Sequence, residues 1–283
     1  MKFAIFTVSL PEWTPDEAVK RLAEIGYDGV EWRIVDDAPR ETPGFWQGNR
    51  CTFPLSSFVE DAPPIRALTE AAGLAIPAIA SYVQANDLEN VERVMRGMKA
   101  LGVSMGRIQV PKYDGTTGYA DLRDQARQDY RAVERLARDY GVKALVEIHH
   151  NTIVPSASAT RLFLDGFDPD AVGAIYDPGN MVHEGHERYR LGLETLGPYL
   201  AHVHAKNTGW RQAGEREDGT SAWEAHWAPL GAGIVNLSEL FGALRAIGYD
   251  EWVSVEDFTT EQPLAVRVRG NLGLMQSAMD RSA

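Results

Sequence analysis

Residues 143–180 read KALVEIHHNTIVPSASATRLFLDGFDPDAVGAIYDPGN. A short apolar run, Lys143–Ile148, leads into a weaker helical pattern at Ser158–Leu164 and then a second apolar run, Val172–Tyr176. Each run ends in polar, chemically capable residues: Glu147 with His149 or His150 after the first, Asp177 just before a Pro-Gly turn after the second. An apolar run, a helix and another apolar run make the unit from which parallel sheets are built.

The same unit recurs in both directions along the chain. Upstream lie the run Lys2–Val8 and a helix Thr14–Ile25 ended by Gly26, then the run Gly29–Arg33. A helix from Pro63 to Ala72, capped by Gly73, follows, and then Leu74–Ser81, helix Leu88–Leu101, run Ser104–Val110 and helix Asp121–Tyr140. Downstream lie a helix His186–Leu196, the run Leu200–Lys206, a helix Asn236–Ile247 ended by Gly248, the run Trp252–Glu256 and a closing helix Pro263–Met279. Thr14-Pro15-Asp16-Glu17 is a strong start signal, with Thr as N-cap, Pro at N1 and Glu completing the capping box. The helix 121–140 is highly charged, with apolar positions spaced for an outer helix that has a solvated face.

Eight strand–helix pairs with no linker-like shift in composition predict an α/β protein. We expect one (β/α)8 TIM barrel domain over residues 1–283, with insertions at 34–62 (a long loop or lid) and 207–229 on the catalytic face. No GxGxxG or Walker loop follows the first run to favour an open doubly wound sheet. The 283 residues carry a formal charge of −12, which argues against a nucleic-acid backbone as partner. The single cysteine, Cys51, excludes a disulfide framework. No apolar run is long enough to span a bilayer, and MKFAIFTVSL is better read as a strand than as a signal peptide. The expected setting is the cytoplasm.

In a barrel of this kind the working residues sit at the C-terminal strand ends. Four consecutive strands each deliver one metal-capable group there: Glu147, Asp177, His204 and Glu256. Three oxygen donors and one imidazole suit one divalent cation, Mn²⁺, Mg²⁺ or Co²⁺, with Zn²⁺ as an alternative. On the seventh run His202 and His204 point the same way, so one ligates and the other packs deeper or orients a neighbour. All seven histidines lie beyond residue 148. Glu31, Arg33, Gln109, Lys112, His150, His183 and Lys206 surround this core as candidate substrate contacts. Trp13, Trp46, Trp210 and Trp227 are candidate stacking rings, and Arg50 and Arg211 sit in the two insertions.

These pieces carry a resemblance. GYDGVEWR (26–33), Glu147 in VEIHH, YDPGN around Asp177, HVHAKN around His204 and WVSVEDF around Glu256 occur in the order found in the sugar phosphate isomerase/epimerase superfamily of xylose-isomerase-like TIM barrels. The resemblance implies one divalent metal, Mn²⁺ foremost, held by Glu147, Asp177, His204 and Glu256. It also makes Glu147 and Glu256 acid–base groups as well as ligands. The implied activity is isomerisation or epimerisation of a small sugar or keto-polyol through a metal-stabilised enediolate. A dehydratase or lyase of a keto-sugar or keto-inositol is the first alternative, and a non-catalytic sugar-binding barrel the second. The expected partner is a small carbohydrate, with a homodimer or homotetramer as candidate assembly.

Two departures stand out: Asn180 where epimerases often carry histidine, and His204-Ala205-Lys206-Asn207 where many relatives read His-x-Lys-Asp. The related endonuclease branch uses a trinuclear zinc cluster with histidines from early strands, and the first half of this chain has none.

Overall fold

Strand periodicity sets the architecture. In the computed structural model, which describes residues 1–184 and 187–282, eight parallel strands form the wall of a barrel. They are β1 (Lys2–Phe6), β2 (Gly29–Ile34), β3 (Ile79–Gln84), β4 (Met105–Gln109), β5 (Lys143–Glu147), β6 (Val172–Tyr176), β7 (Leu200–Ala205) and β8 (Trp252–Val255). β1 pairs with both β2 and β8, which closes the sheet on itself. The helices that follow are α1 (Pro15–Ile25), α2 (Phe58–Ala71), α3 (Leu88–Leu101), α4 (Tyr119–Tyr140), α5 (Ala157–Leu164), α6 (Tyr189–Leu196), α7 (Leu237–Ala246) and α8 (Leu264–Arg281). This is a (β/α)8 barrel.

Alternate strand residues face opposite sides. Phe3, Ile5, Val30, Trp32, Val146, Val203, Val253 and Val255 join the apolar layer between strands and helices. The residues between them point into the barrel, and many are charged: Glu31, Arg33, Arg107, Glu147, His202 and His204, all buried. The apolar cluster at the inner mouth is small, built from Phe6, Val8 and Ala80 with Phe45 and Phe258 against it. At the closing seam, Arg267 of α8 donates to the carbonyls of Asp257 (2.6 Å) and Ser9 (3.0 Å), tying the end of the chain to its beginning.

The capping box at Thr14 is present, with Glu17 N–H donating to Thr14 Oγ1 at 3.3 Å and Thr14 N–H to Glu17 Oε2 at 3.0 Å. Several boundaries differ from expectation. The third strand is Ile79–Gln84, not Leu74–Ser81: Ala75 makes one isolated bridge to Gly29, and pairing resumes at Ile79 only after Pro77, which has no N–H to donate. α2 begins at Phe58, five residues before Pro63, so Pro63 and Pro64 lie inside the helix. The carbonyls those prolines leave unpaired belong to half-buried Val59 and exposed Glu60, at the helix start. The buried Phe58 ring, pressed against Gly97 of α3, fixes that first turn.

The expected helix His186–Leu196 is helical over Tyr189–Leu196, and His186 lies outside the described residues. Insertion 34–62 is irregular up to a short strand, Thr52–Phe53, that pairs with the end of β2. Insertion 207–229 is an antiparallel hairpin, Thr208–Glu215 with Ser221–Trp227. It turns at Asp218-Gly219, where Gly219 adopts φ 79° and Asp218 Oδ1 accepts from Thr220 N–H and Oγ1–H. No helix among the described residues is long and apolar enough to cross a membrane.

Removing the Phe58 ring empties the α2–α3 contact. Phe58→Ala is expected to lower unfolding free energy by about 3–5 kcal/mol, read from the urea midpoint. A midpoint shift equivalent to less than about 1 kcal/mol would show that the prolines are accommodated without this anchor.

Candidate metal centre

The strand ends deliver four side chains to one point. Glu147 is the last residue of β5, and Asp177 follows β6 as N-cap of a one-turn helix, Pro178–Met181. His204 comes from β7, and Glu256 follows β8. One ligand atom from each of Glu147, Asp177, His204 and Glu256 lies within 4.8 Å of the other three, and all four residues are buried. His204 Nδ1 is 3.4 Å from Glu147 Oε1, 3.5 Å from Glu256 Oε1 and 3.9 Å from Asp177 Oδ2, and it has no hydrogen-bond partner.

The opposite edge of the His204 ring explains its orientation. Nε2 lies 3.2 Å from Glu31 Oε2, which also meets His202 Nε2 at 3.1 Å. His202 Nε2 is 3.1 Å from Ser254 Oγ as well. Burial opposes ionisation of Glu31, but the two imidazoles outweigh it and hold the carboxyl well below its usual range. An ionised Glu31 accepts from Nε2–H and turns the Nδ1 side of the ring toward the other carboxylates. Glu31 is thus sealed beneath the cluster and does not line the mouth, where substrate contact was expected. The polar interior position next to Val30 and Trp32 made it visible, but its depth was not.

Counter-charges hold the carboxylates. Arg107 pairs with Glu147 Oε2, and Lys206 pairs with Asp177 Oδ2 (2.8 Å) and with Glu256 Oε2. Burial would raise the Glu147 carboxyl, yet Arg107 and His204 keep it well below its ordinary value. Asp177 is raised, chiefly by burial, against the pull of Lys206. For His204, burial is overcome by Glu31 and Glu256, which push the imidazole well above its usual value. Arg107 was not singled out from sequence, although an arginine inside the apolar run Ser104–Val110 was the available signal.

Asn180 fills the position of the first departure. It is fully buried, with Nδ2 donating to Asp177 Oδ2 (2.9 Å) and to the Ile148 carbonyl (3.0 Å). Its Oδ1 meets His150 Nδ1 at 3.0 Å. Asn207, the second departure, anchors the hairpin: its amide donates to the Leu230 and Val235 carbonyls and accepts from the Thr208 and Val235 N–H groups.

The other expected contacts separate into two sets. His150 and His183 stand at the mouth, stacked 3.9 Å apart, with the Trp227 ring 5.6 and 5.0 Å away. Gln109 accepts from Gln84 Nε2 (2.7 Å) and lines a cavity beside Glu147 together with Lys112. Arg33, by contrast, is committed to insertion 34–62 through Asp37 (3.0 Å), Thr52 (2.7 Å) and the Trp46 carbonyl (3.0 Å). Trp13 is buried in the core, Trp210 donates to the Val182 carbonyl (2.9 Å) and Trp46 packs on Phe258. Arg211 pairs with Glu224 on the exposed hairpin, and Arg50 is exposed.

Known proteins share this framework. A family model for xylose isomerase-like TIM barrels matches residues 19–278. Inosose dehydratase of Geobacillus thermodenitrificans (strain NG80-2) is 25% identical over 157 residues, 53% of this chain and 52% of that protein. The chain thus spans about half the length of the curated relatives it matches. The solved IolI protein with a zinc atom superposes with a TM-score of 0.76 at 17% identity, over 100% of this chain and 99% of that one. The 3-keto-D-glucoside 4-epimerase of E. coli gives a TM-score of 0.73 at 16% identity, over 98% and 99%. At these identities the structural likeness is one of fold.

The histidine stack carries a pH signature. Burial, reinforced by His149, His183 and Lys206, pushes His150 down to about 3, and burial with Lys206 pushes His183 to about 4. Both values are depressed, so the unfolded chain binds more protons below the ordinary value of 6.5. The stabilisation is complete above that value and is lost as pH falls toward 4 and then 3. The urea midpoint is expected to drop between about pH 7 and pH 4, with a flatter profile for the His150→Gln/His183→Gln variant. Equal slopes in the two proteins would refute the assignment.

Proposed function

Because the chain belongs to the xylose isomerase-like TIM barrel family, we propose that it is a divalent-metal-dependent enzyme that moves a proton beside the carbonyl of a small sugar or keto-polyol. The observation that carries this is the unpartnered Nδ1 of His204 facing three buried carboxylates. Three carboxylate oxygens and an imidazole that would give up its Nδ1 proton to the ion form a donor set suited to Mn²⁺, Mg²⁺, Co²⁺ or Zn²⁺, with Mn²⁺ our first assignment. The zinc atom bound by the IolI protein, which shares this fold, supports a divalent metal in this chain. A divalent ion held there would supply Lewis-acid polarisation of a carbonyl oxygen, acidifying the neighbouring C–H.

The chain's own residues do the rest. Glu147 and Glu256 reach the centre from β5 and β8, separated around the barrel by β6 and β7. We read them as the acid–base pair, one carboxylate to take the substrate proton and the other to return it. Arg107 keeps Glu147 ionised, as a base requires. Lys206, which bridges Asp177 and Glu256, supplies a proton-bearing ammonium at the same point. Trp227, Phe258 and Trp46 pack on one another, and the Lys206 ammonium lies over the first two rings. Return of the proton to carbon makes this an isomerase or epimerase, which is our primary assignment.

A dehydratase is the second reading, favoured by the sequence similarity to inosose dehydratases and by Lys206, placed to protonate a departing hydroxyl. Both reactions begin with the same C–H cleavage.

Chelator-treated protein is expected to take up one equivalent of divalent ion. The reconstituted protein should then exchange solvent deuterium into a member of a ketose and keto-inositol panel. Exchange with a rearranged sugar identifies the isomerase or epimerase; an unsaturated product identifies the dehydratase. Glu256→Gln should abolish exchange in either case. Failure to retain an ion after Mn²⁺ reconstitution would overturn the proposal in favour of a binding barrel, and full turnover by Glu256→Gln would overturn the role assigned to that residue.

A further inference from the structure

A cavity of about 70 Å³ opens beside Glu147. Its lining includes Gln84, Arg107, Gln109, Lys112, His149 and Glu147. The arginine is immobilised: Nε donates to the Ser81 carbonyl (3.1 Å), Nη1 pairs with Glu147, and the guanidinium stacks 4.7 Å from the Tyr82 ring. Its remaining nitrogen, Nη2, is shut off from solvent and has no acceptor. Lys112 is held at the cavity edge by a backbone bridge to Thr152, and among the described residues its side chain makes no ion pair. Glu147 is the one carboxylate among the described lining residues, and Arg107 already neutralises it. The cavity is therefore bordered by a guanidinium whose buried Nη2 has no acceptor, by the exposed Lys112 and by the paired amides of Gln84 and Gln109, and its one carboxylate is already neutralised.

We propose that this cavity binds a carboxylate of the substrate, so that the enzyme acts on a sugar acid or keto acid and not on a neutral sugar. The assignment rests on the preceding one, that the adjoining cluster is the working centre. A planar carboxylate can accept from Arg107 Nη2 and Lys112 together, the charge-assisted geometry that guanidinium groups favour. Anchored there, the acid end fixes which carbon lies over the carboxylate pair.

The test uses purified full-length protein, with metal content measured in the same samples so that loss of the metal centre is scored separately. Binding of paired probes is titrated calorimetrically: glycerate against glycerol, gluconate against glucitol, glucuronate against glucose, and glucose 6-phosphate as the phosphate comparison. At least one acid is expected to bind about tenfold more tightly than its neutral partner, and Lys112→Met should remove most of that preference at unchanged metal stoichiometry. A preference that survives Lys112→Met would assign the effect to chelation by the metal and overturn the pocket. Stronger binding of the phosphate probe would overturn the carboxylate, and a panel in which no acid exceeds its partner would overturn the proposal entirely.

Discussion

Charges buried inside the barrel must be neutralised within it, and most of the site follows from that constraint. Glu31, Glu147, Asp177 and Glu256 sit where water cannot solvate them, and an isolated buried carboxylate is strongly disfavoured. Each therefore has a named partner: Glu31 the two imidazoles of His202 and His204, Glu147 the arginine of β4, Asp177 and Glu256 the lysine after β7. These pairings also fix positions. Oxygens that would repel one another when free are drawn to within 4.8 Å of a common set of atoms, as a cation site requires.

The fold was legible because the strands are short, apolar and separated by helices with clear stops. The four clustered residues were legible because each ends or follows such a run. What escaped was depth and commitment. Glu31 and Arg33 occupy successive inward positions of β2, yet one is sealed under His204 and the other is clasped to insertion 34–62. Nothing in a single strand distinguishes those fates, which depend on residues 171 and 173 positions away in one case and 4, 13 and 19 in the other. Arg107 was overlooked for a related reason: its meaning comes from Glu147, forty residues on. The hairpin at 208–227 had a local signal, Asp218-Gly219, obscured by the polar, aromatic-rich sequence around it.

Buried side-chain amides help to fasten the two insertions. Asn49 donates to the Val8 and Phe45 carbonyls and accepts from Cys51 N–H, while Asn207 makes four bonds at the root of the hairpin. Such side-chain amides satisfy irregular backbone that strand or helix pairing would otherwise serve. The loops can thus differ in length and content while the barrel beneath them keeps its geometry.

His204 has one ring edge turned to the carboxylates of the later strands and the other to Glu31 of the second strand. Arg107 likewise reaches Glu147 from the fourth strand. All four clustered donors therefore belong to the second half of the chain, but two of the partners that hold them belong to the first. A half-barrel beginning at β5 would contain every one of those donors and still lack Glu31 and Arg107. The two halves are chemically interdependent: neither fragment has, by itself, the balance of charge that makes the cluster tolerable.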